Sequence, residues 1–196
     1  MAFDLDETEV PARHSTDLFL LRPLRETDAV LDHAAVMESR VQLRTWELST
    51  WPEDDFTVEA NREDLARHER LHVEGRAFTY TVMDPTATEC LGCVYLFPTD
   101  APFLAAAQVA PVGDARWDDV EAAVYYWVRT SGSATMDRAL LDTLRVWLED
   151  DWPIDDYVFV TSERFTQQVD VIEGTDLELR FEIAEPDKSG RYLAYR

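Results

Sequence analysis

The stretch from Asp118 to Glu149, DDVEAAVYYWVRTSGSATMDRALLDTLRVWLE, constrains the fold of this chain more than any other. Its first part, Val120 to Val128, is apolar, β-branched and aromatic, and too short for a favoured helix, so it predicts a buried strand. After the small-residue turn TSGSAT the period changes. Met136, Leu140, Leu144, Trp147 and Leu148 recur at helical spacing on one face. A strand, a tight loop and a helix in this order aim the first free amides of the helix, and the positive end of its dipole, at whatever lies above the strand end. An anion such as a phosphate fits there.

Around this unit the chain predicts one domain. Its 196 residues, 46% of them hydrophobic, can bury one core, and no linker or internal repeat divides it. Residues 1 to 16 read as a disordered acidic lead, and residues 17 to 196 as the domain. The start lacks the basic and apolar regions of a signal peptide, and no segment reaches the roughly 18 apolar residues of a membrane span, so a cytoplasmic protein is expected. Forty acidic residues stand against 18 basic ones, a formal net charge of −22, with Lys188 the single lysine. Such a chain repels nucleic acid and anionic membranes. The acids are dispersed, as expected of a solvated acidic shell suited to a halophilic cytoplasm; a basic protein partner, or an acidic protein from an arginine-biased genome, are the alternatives.

In chain order, Leu18 to Leu24 predicts a strand. Thr27 can cap a helix ending near Thr45 with Val30, Ala34, Met37 and Val41 inward. An aromatic loop with Trp46, Trp51 and Phe56 leads to a helix over Val58 to Glu74, stopped by Gly75. Strands Ala77 to Met83 and Cys90 to Phe97 form a hairpin, and residues 98 to 117 have no clear pattern. Beyond the central unit come a strand Tyr157 to Thr161, a helix carrying Phe165, Val169 and Ile172, and strands near Leu177 to Ile183 and Arg191 to Tyr195.

This order, with LFLLRPLRETDA at the start, CLGCVYLF in the third strand and RALLDTLRVWL after the central loop, resembles the GNAT superfamily of acyl-CoA-dependent N-acyltransferases over nearly the whole chain from Leu18 on. The resemblance implies an α/β (α+β) fold, a mixed, splayed β-sheet flanked by helices on both faces, whose fourth strand parts from the fifth to admit pantetheine. It implies acetyl-CoA as co-substrate, transfer of acetyl to a primary amine on a small molecule or peptide, no metal, and room for a homodimer. Arg129-Thr130-Ser131-Gly132-Ser133-Ala134 fits the family's diphosphate-loop pattern literally, whereas aligning the helix instead places Thr135 and Asp137 at its small positions. The implied cofactor contacts are Trp127, Val128, Arg129, Gly132, Ser133, Ala134, Thr135 and Arg138, with Asp137 either facing phosphate or sitting in the first helical turn.

Acyl transfer to an amine needs a base, an oxyanion donor and an acid near sulfur. Glu121 is the candidate base, alternatively a strand-end carboxylate in water, and Tyr126 the candidate phenol. Tyr125 and Tyr126 point to opposite faces, so one at most reaches the cleft. Where many family members carry a protonating Tyr, this chain has Ile172, which leaves open a catalytically lapsed CoA-binding or scaffolding module. A third reading is a zinc metallopeptidase, because His68-Glu69-Arg70-Leu71-His72 spells H-E-x-x-H. Its charged flanks and lack of a later His favour a solvated helix without metal. Cys90 and Cys93 form a C-x-x-C in a strand, where three-residue spacing predicts opposite faces and two core thiols.

The charge reading is testable: with the Debye length growing from about 8 Å at physiological salt to about 30 Å at 0.01 M, the melting temperature should rise with added KCl. An unchanged value between low salt and molar KCl would contradict it.

Overall fold

The computed structural model describes Phe3, Leu5 and residues 10 to 196, except the side chains of Ser133 and Ala134. Nine strands form one sheet in the order β1-β2-β3-β4-β6-β7-β9-β8-β5: β1 (His14–Ser15), β2 (Leu20–Pro23), β3 (Phe78–Met83), β4 (Cys90–Pro98), β5 (Gln108–Pro111), β6 (Ala122–Val128), β7 (Tyr157–Ser162), β8 (Leu179–Ala184) and β9 (Tyr192–Tyr195). Every pairing is antiparallel except β6 with β7, which are joined through a helix as parallel neighbours must be. Helices α1 (Ala29–Glu38), α2 (Arg40–Glu47) and α3 (Val58–Val73) pack on one face. On the other lie α5 (Ser133–Asp151) and α6 (Thr166–Glu173), while α4 (Pro102–Ala105) is a single turn beside β5. The mixed sheet between helical layers is the expected architecture.

Strand β6 has all seven residues buried. Alternation sends Ala123, Tyr125 and Trp127 to the α1–α3 side and Ala122, Val124, Tyr126 and Val128 to the α5 side. On α5, Leu140, Leu144, Trp147 and Leu148 are buried against that second face, as their spacing predicts. The C-terminal end of α3 also follows expectation, with Gly75 at φ 64 two residues past its last turn.

The first helix departs from its predicted form. It breaks at Ser39 into α1 and α2, and Val30 and Val41, expected inward, are 62% and 71% exposed. The buried face instead carries Ala29, Asp32, Ala35 and Val36, so a polar residue holds the centre of the contact with β4. Thr27 does not cap it. The chain enters through a 3-10 turn in which the Asp28 carboxylate accepts the Arg25 backbone N–H and a two-point ion pair from Arg22 at 2.7 Å. Residues 98 to 117 hold α4 and β5, both too short to show a period. Of the expected disordered lead, Phe3, Leu5 and residues 10 to 16 are described: Val10 is buried and His14–Ser15 pair with Leu20 and Leu21 of β2, and the remainder lies outside the described residues.

His68 and His72 face β3 and not water, which corrects the solvated-helix reading. His72 Nδ1 accepts the Thr79 backbone N–H at 3.2 Å, and His68 Nδ1 lies 3.1 Å from Thr79 Oγ1, its ring beside Tyr95. Glu69 turns to the N–H of Glu26. Both imidazoles thus spend Nδ1 on Thr79 while Glu69 turns away to Glu26, so the glutamate does not stand with the two rings as the base of a peptidase would.

Burial, with Arg67 adding to it, lowers the His68 pKa to about 4 from its ordinary 6.5. Between these values the unfolded chain binds the extra proton, so the contribution is complete above pH 6.5 and is lost as pH falls toward 4. At about 1.4 kcal/mol per unit it is worth at most about 3.5 kcal/mol. Denaturant titrations should show His68→Gln with a flatter stability profile across this window; an unaltered slope would refute the assignment.

Candidate functional site

The site grows from the place where β6 and β7 part. Pairing runs from Ala122 with Tyr157 to Tyr125 with Val160 and stops there, although β6 continues to Val128 and β7 to Ser162. The carbonyls of Tyr126 and Val128 are thereby released from the ladder, and a buried carbonyl needs a partner. Side chains supply them here. Gln168 Nε2 of α6 donates to the Tyr126 carbonyl at 3.2 Å, and Gln42 Nε2 of α2 donates to the Val128 carbonyl at 2.9 Å. Two side-chain amides thus occupy the backbone acceptors that an amide-bearing ligand would use.

At the end of β6, Thr130–Gly132 form a 3-10 turn that runs directly into α5 with Gly132 at its N-cap. Helix α5 therefore begins at Ser133, which puts the literal pattern from Arg129 to Ala134 at the helix start and Thr135 and Asp137 inside it. The loop holds an anion of the chain's own. Glu38 of α1 receives Arg129 Nε at 2.7 Å through Oε2 and the Ser131 N–H at 3.2 Å through Oε1. The Arg129 guanidinium is the first cause holding the Glu38 carboxyl below its usual range. Beside it, buried Ser39 Oγ accepts the Thr130 N–H at 3.0 Å. The break between α1 and α2 delivers both residues to the loop.

The other expected contacts are distributed unequally. The indole of Trp127 is fully buried and donates to the Tyr95 hydroxyl at 3.2 Å, so this residue can offer only its backbone. Thr135 is exposed. The side chains of Ser133 and Ala134 lie outside the described residues. Arg138 does not join Arg129: it turns along α5 to Asp142 and to the Gly174 carbonyl. Asp137 lies past the first turn of α5, which begins at Ser133, and turns inward. It is fully buried, and its carboxylate accepts from Gln167 Nε2 at 2.9 Å and Gln168 Nε2 at 3.0 Å. Burial raises its pKa, with the two amides acting against that rise.

Glu121, the expected base, is exposed at the opening end of β6 and donates its N–H to the Asp156 carbonyl. It stands seven positions before Val128, about 23 Å along a strand, so it lies far from the loop. Tyr126, the expected phenol, points into the α5 side of the core. Its neighbour Tyr125 instead faces α2, at the last paired position before the strands part, with its hydroxyl buried and without a hydrogen-bond partner.

Sequence reasoning did not single out Glu185, which follows β8. Burial first, and Glu47 with it, raise its pKa to about 7 against the opposing pull of Lys188. The charges of Glu185 and Glu47 in turn help burial push the Tyr125 phenol well above its ordinary value, which places all three groups in one neighbourhood. Tyr192 lies ring to ring with Tyr125 at 6.0 Å and donates to the Glu47 carbonyl at 2.8 Å, and Lys188 pairs with the Glu47 carboxylate. Next to this cluster a cleft of about 550 Å³ opens between α2 and the β8–β9 turn, lined by Arg44, Leu48, Thr50, Arg164, Asp187 and Ser189 among others. No sequence pattern marks Glu185, one acid among 40.

The occupied loop yields a prediction. Arg129 and Glu38 are only partly shielded, and such pairs contribute up to about 1 kcal/mol, a factor of about five. Replacing Glu38 with Gln should therefore tighten acyl-CoA binding by up to about fivefold in calorimetry, and Arg129→Ala should weaken it. Equal affinity in all three proteins would show that the loop does not receive the phosphates.

No protein-family model matches the sequence, and no curated protein matches it. Solved structures do. Ribosomal-protein-S5-alanine acetyltransferase from Vibrio fischeri superposes with a TM-score of 0.65 at 18% identity, covering 94% of this chain and 95% of its own. RimL, a ribosomal L7/L12 alpha-N-protein acetyltransferase in complex with coenzyme A, gives 0.63 at 16% identity with 95% of each chain covered. RimJ from Mycobacterium smegmatis, in complex with CoA-disulfide, gives 0.66 at 15% identity over 90% of this chain and 80% of its own. At these identities the likeness establishes the architecture, and the splayed strand pair, the loop and the helix after it give this chain the GNAT fold.

Proposed function

We propose that the protein is an acyl-CoA-dependent N-acetyltransferase acting on an amine. The observation that carries this reading is the parting of β6 from β7 after Tyr125, which leads from two released carbonyls to the Arg129 loop. The residues present fit the co-substrate. Arg129, the Ser131 amide and the start of α5 suit phosphate, and their acceptance of the Glu38 carboxylate supports an anion there. The carbonyls of Tyr126 and Val128, already bonded to amides, suit pantetheine. Acetyl-CoA supplies an acyl group activated as a thioester.

The chain's own residues account for the proton transfers. An amine is protonated near neutral pH and must lose a proton before it attacks, and Glu185 is the carboxylate whose burial brings its pKa near 7. It replaces Glu121 as the proposed base. The hydroxyls of Tyr125 and Tyr126 are both buried without a partner, and that of Tyr125, at the apex of the splay and facing α2, can donate toward the developing oxyanion or the departing sulfur. Lys188 and Tyr192 hold Glu47 in position at the edge of the acceptor side. Several of the similar structures are named for acetylating ribosomal proteins, which supports an amine on a peptide or protein as acceptor.

A second reading, a CoA-binding module without turnover, is favoured by one observation. Glu38, Gln42 and Gln168 fill the cleft from inside, and Ile172 is buried core where a protonating phenol would otherwise stand.

The deciding measurement is acetyl transfer to a panel of peptide amines as a function of pH. Because the base must be ionised, kcat/KM should rise with pH through about 7. Glu185→Gln should lower kcat by about 10² or more with little change in acetyl-CoA affinity, while Glu121→Gln should change neither. Absence of acetyl-CoA binding at millimolar ligand would overturn the acyltransferase reading, and binding without turnover would favour the module.

A further inference from the structure

Cys90 and Cys93 do not point to opposite faces. The pairing of β3 with β4 slips between Val82, opposite Gly92, and Met83, opposite Cys90, so Leu91 is an extra residue bulged out of the ladder. The bulge changes the alternation at this point. Leu91 packs toward the α5 face, and both thiols turn to the α1 side. Gly92 permits the bulge, because a Cβ there would collide with the carbonyl oxygen of Trp127 on β6. The Leu91 carbonyl accepts the Arg129 N–H at 2.7 Å, one step beyond the pairing of Gly92 with Val128.

Above the two thiols sits Asp32 of α1, 2% exposed. Its Oδ1 lies 3.4 Å from Cys93 Sγ and 3.7 Å from Cys90 Sγ, and its Oδ2 accepts Asn61 Nδ2 of α3 at 2.9 Å. One donor atom from each of the three residues falls within 4.8 Å of the others, and all three side chains are buried. A tetrahedral zinc ion with bonds of about 2.3 Å to sulfur and about 2.0 Å to oxygen holds those ligands about 3.5 Å apart. The two measured sulfur to oxygen distances bracket that value. Cys90 Sγ is also 3.5 Å from the Gly92 carbonyl, a further oxygen at the same place. Asn61 holds the second oxygen of Asp32, as outer groups do for carboxylate ligands.

We propose that Asp32, Cys90 and Cys93 form a buried structural site for a thiophilic divalent cation of the zinc class, clamping α1 to the bulge of β4. Binding is an exchange without redox change. The ion forms bonds to both sulfurs and to Asp32 Oδ1, and two thiol protons leave to solvent. The resulting single negative charge faces the guanidinium of Arg22, which feels both sulfurs. Asn61 and the two thiols bond to the Asp32 carboxylate, and a cation would answer the charge that burial at this helix contact leaves. The site also places the metal on α1, the helix that carries Glu38 to the Arg129 loop.

The test uses the full-length untagged chain, refolded under reducing conditions with excess zinc or cobalt and freed of loose metal by gel filtration. The expected result is about one equivalent of zinc per chain by elemental analysis. With cobalt, a near-ultraviolet thiolate-to-metal band should appear, and both signals should be lost in Cys90→Ser and in Cys93→Ser and kept in His68→Ala. Should a serine variant fail to fold, the wild-type chain decides alone: its melting temperature should be higher after refolding with zinc than with a chelator. No retained metal, retention that survives both serine substitutions, or a native mass two daltons low from a Cys90–Cys93 disulfide would each overturn the proposal.

Discussion

The end of the β6–β7 ladder at Tyr125 is the constraint on which the rest of the site depends. A parallel pair that stays in register buries its carbonyls in the ladder, whereas one that parts must satisfy them elsewhere. The pair parts here because the two strands answer to different neighbours. β6 is held to β4 through Val128, opposite Gly92, and β7 is held to β9 through Ser162, opposite Tyr192. Gln42 and Gln168 then meet the freed carbonyls from the two opposite helical layers. The opening is thus stabilised from both sides of the sheet without collapsing.

The same logic of internal substitution extends to the loop. A carboxylate sits on Arg129 and side-chain amides sit on the strand, so the chain presents to its own cleft the functional groups of a molecule with phosphates and amides. The Arg129–Glu38 contact is weak, because both groups are partly open to water. Together these contacts keep the polar groups satisfied, and the Arg129–Glu38 pair can be exchanged for a ligand anion at modest cost. Helix α1 connects this exchange to the core. Its one end carries Glu38 and Ser39 to the loop, and its middle carries Asp32 to the two thiols.

Burial divides the titratable groups into two kinds. Asp137, enclosed between α5 and α6, is answered by two glutamine amides and serves the packing of that layer. Glu185 is answered less completely, by Lys188 against burial and Glu47, and it stands beside an open cleft with an unpartnered phenol nearby. The contrast is why Glu185, and not Asp137, is the proposed base.

Periodicity by itself determined the elements that bury a regular face. The strand ending at Val128, the α5 face from Leu140 to Leu148 and the Val58–Val73 helix with its glycine stop follow from local pattern, because each repeats over several turns or residues and each is apolar. The Arg129–Gly132 loop was legible for the same reason, lying where one period gives way to another. Tertiary structure decided the rest. Val30 and Val41 lost the inward face to Asp32 because two thiols and Asn61 wait beneath it, and no local pattern records a partner tens of residues away. One bulged residue at Leu91 reversed the side on which Cys90 lies, since a period of two leaves no tolerance for an insertion. Tyr125 rather than Tyr126, and Glu185 rather than Glu121, stand in the proposed site for a common reason. The facing of a strand and the desolvation of a carboxyl are set by what packs across the sheet, and the sequence carries that information only through the fold.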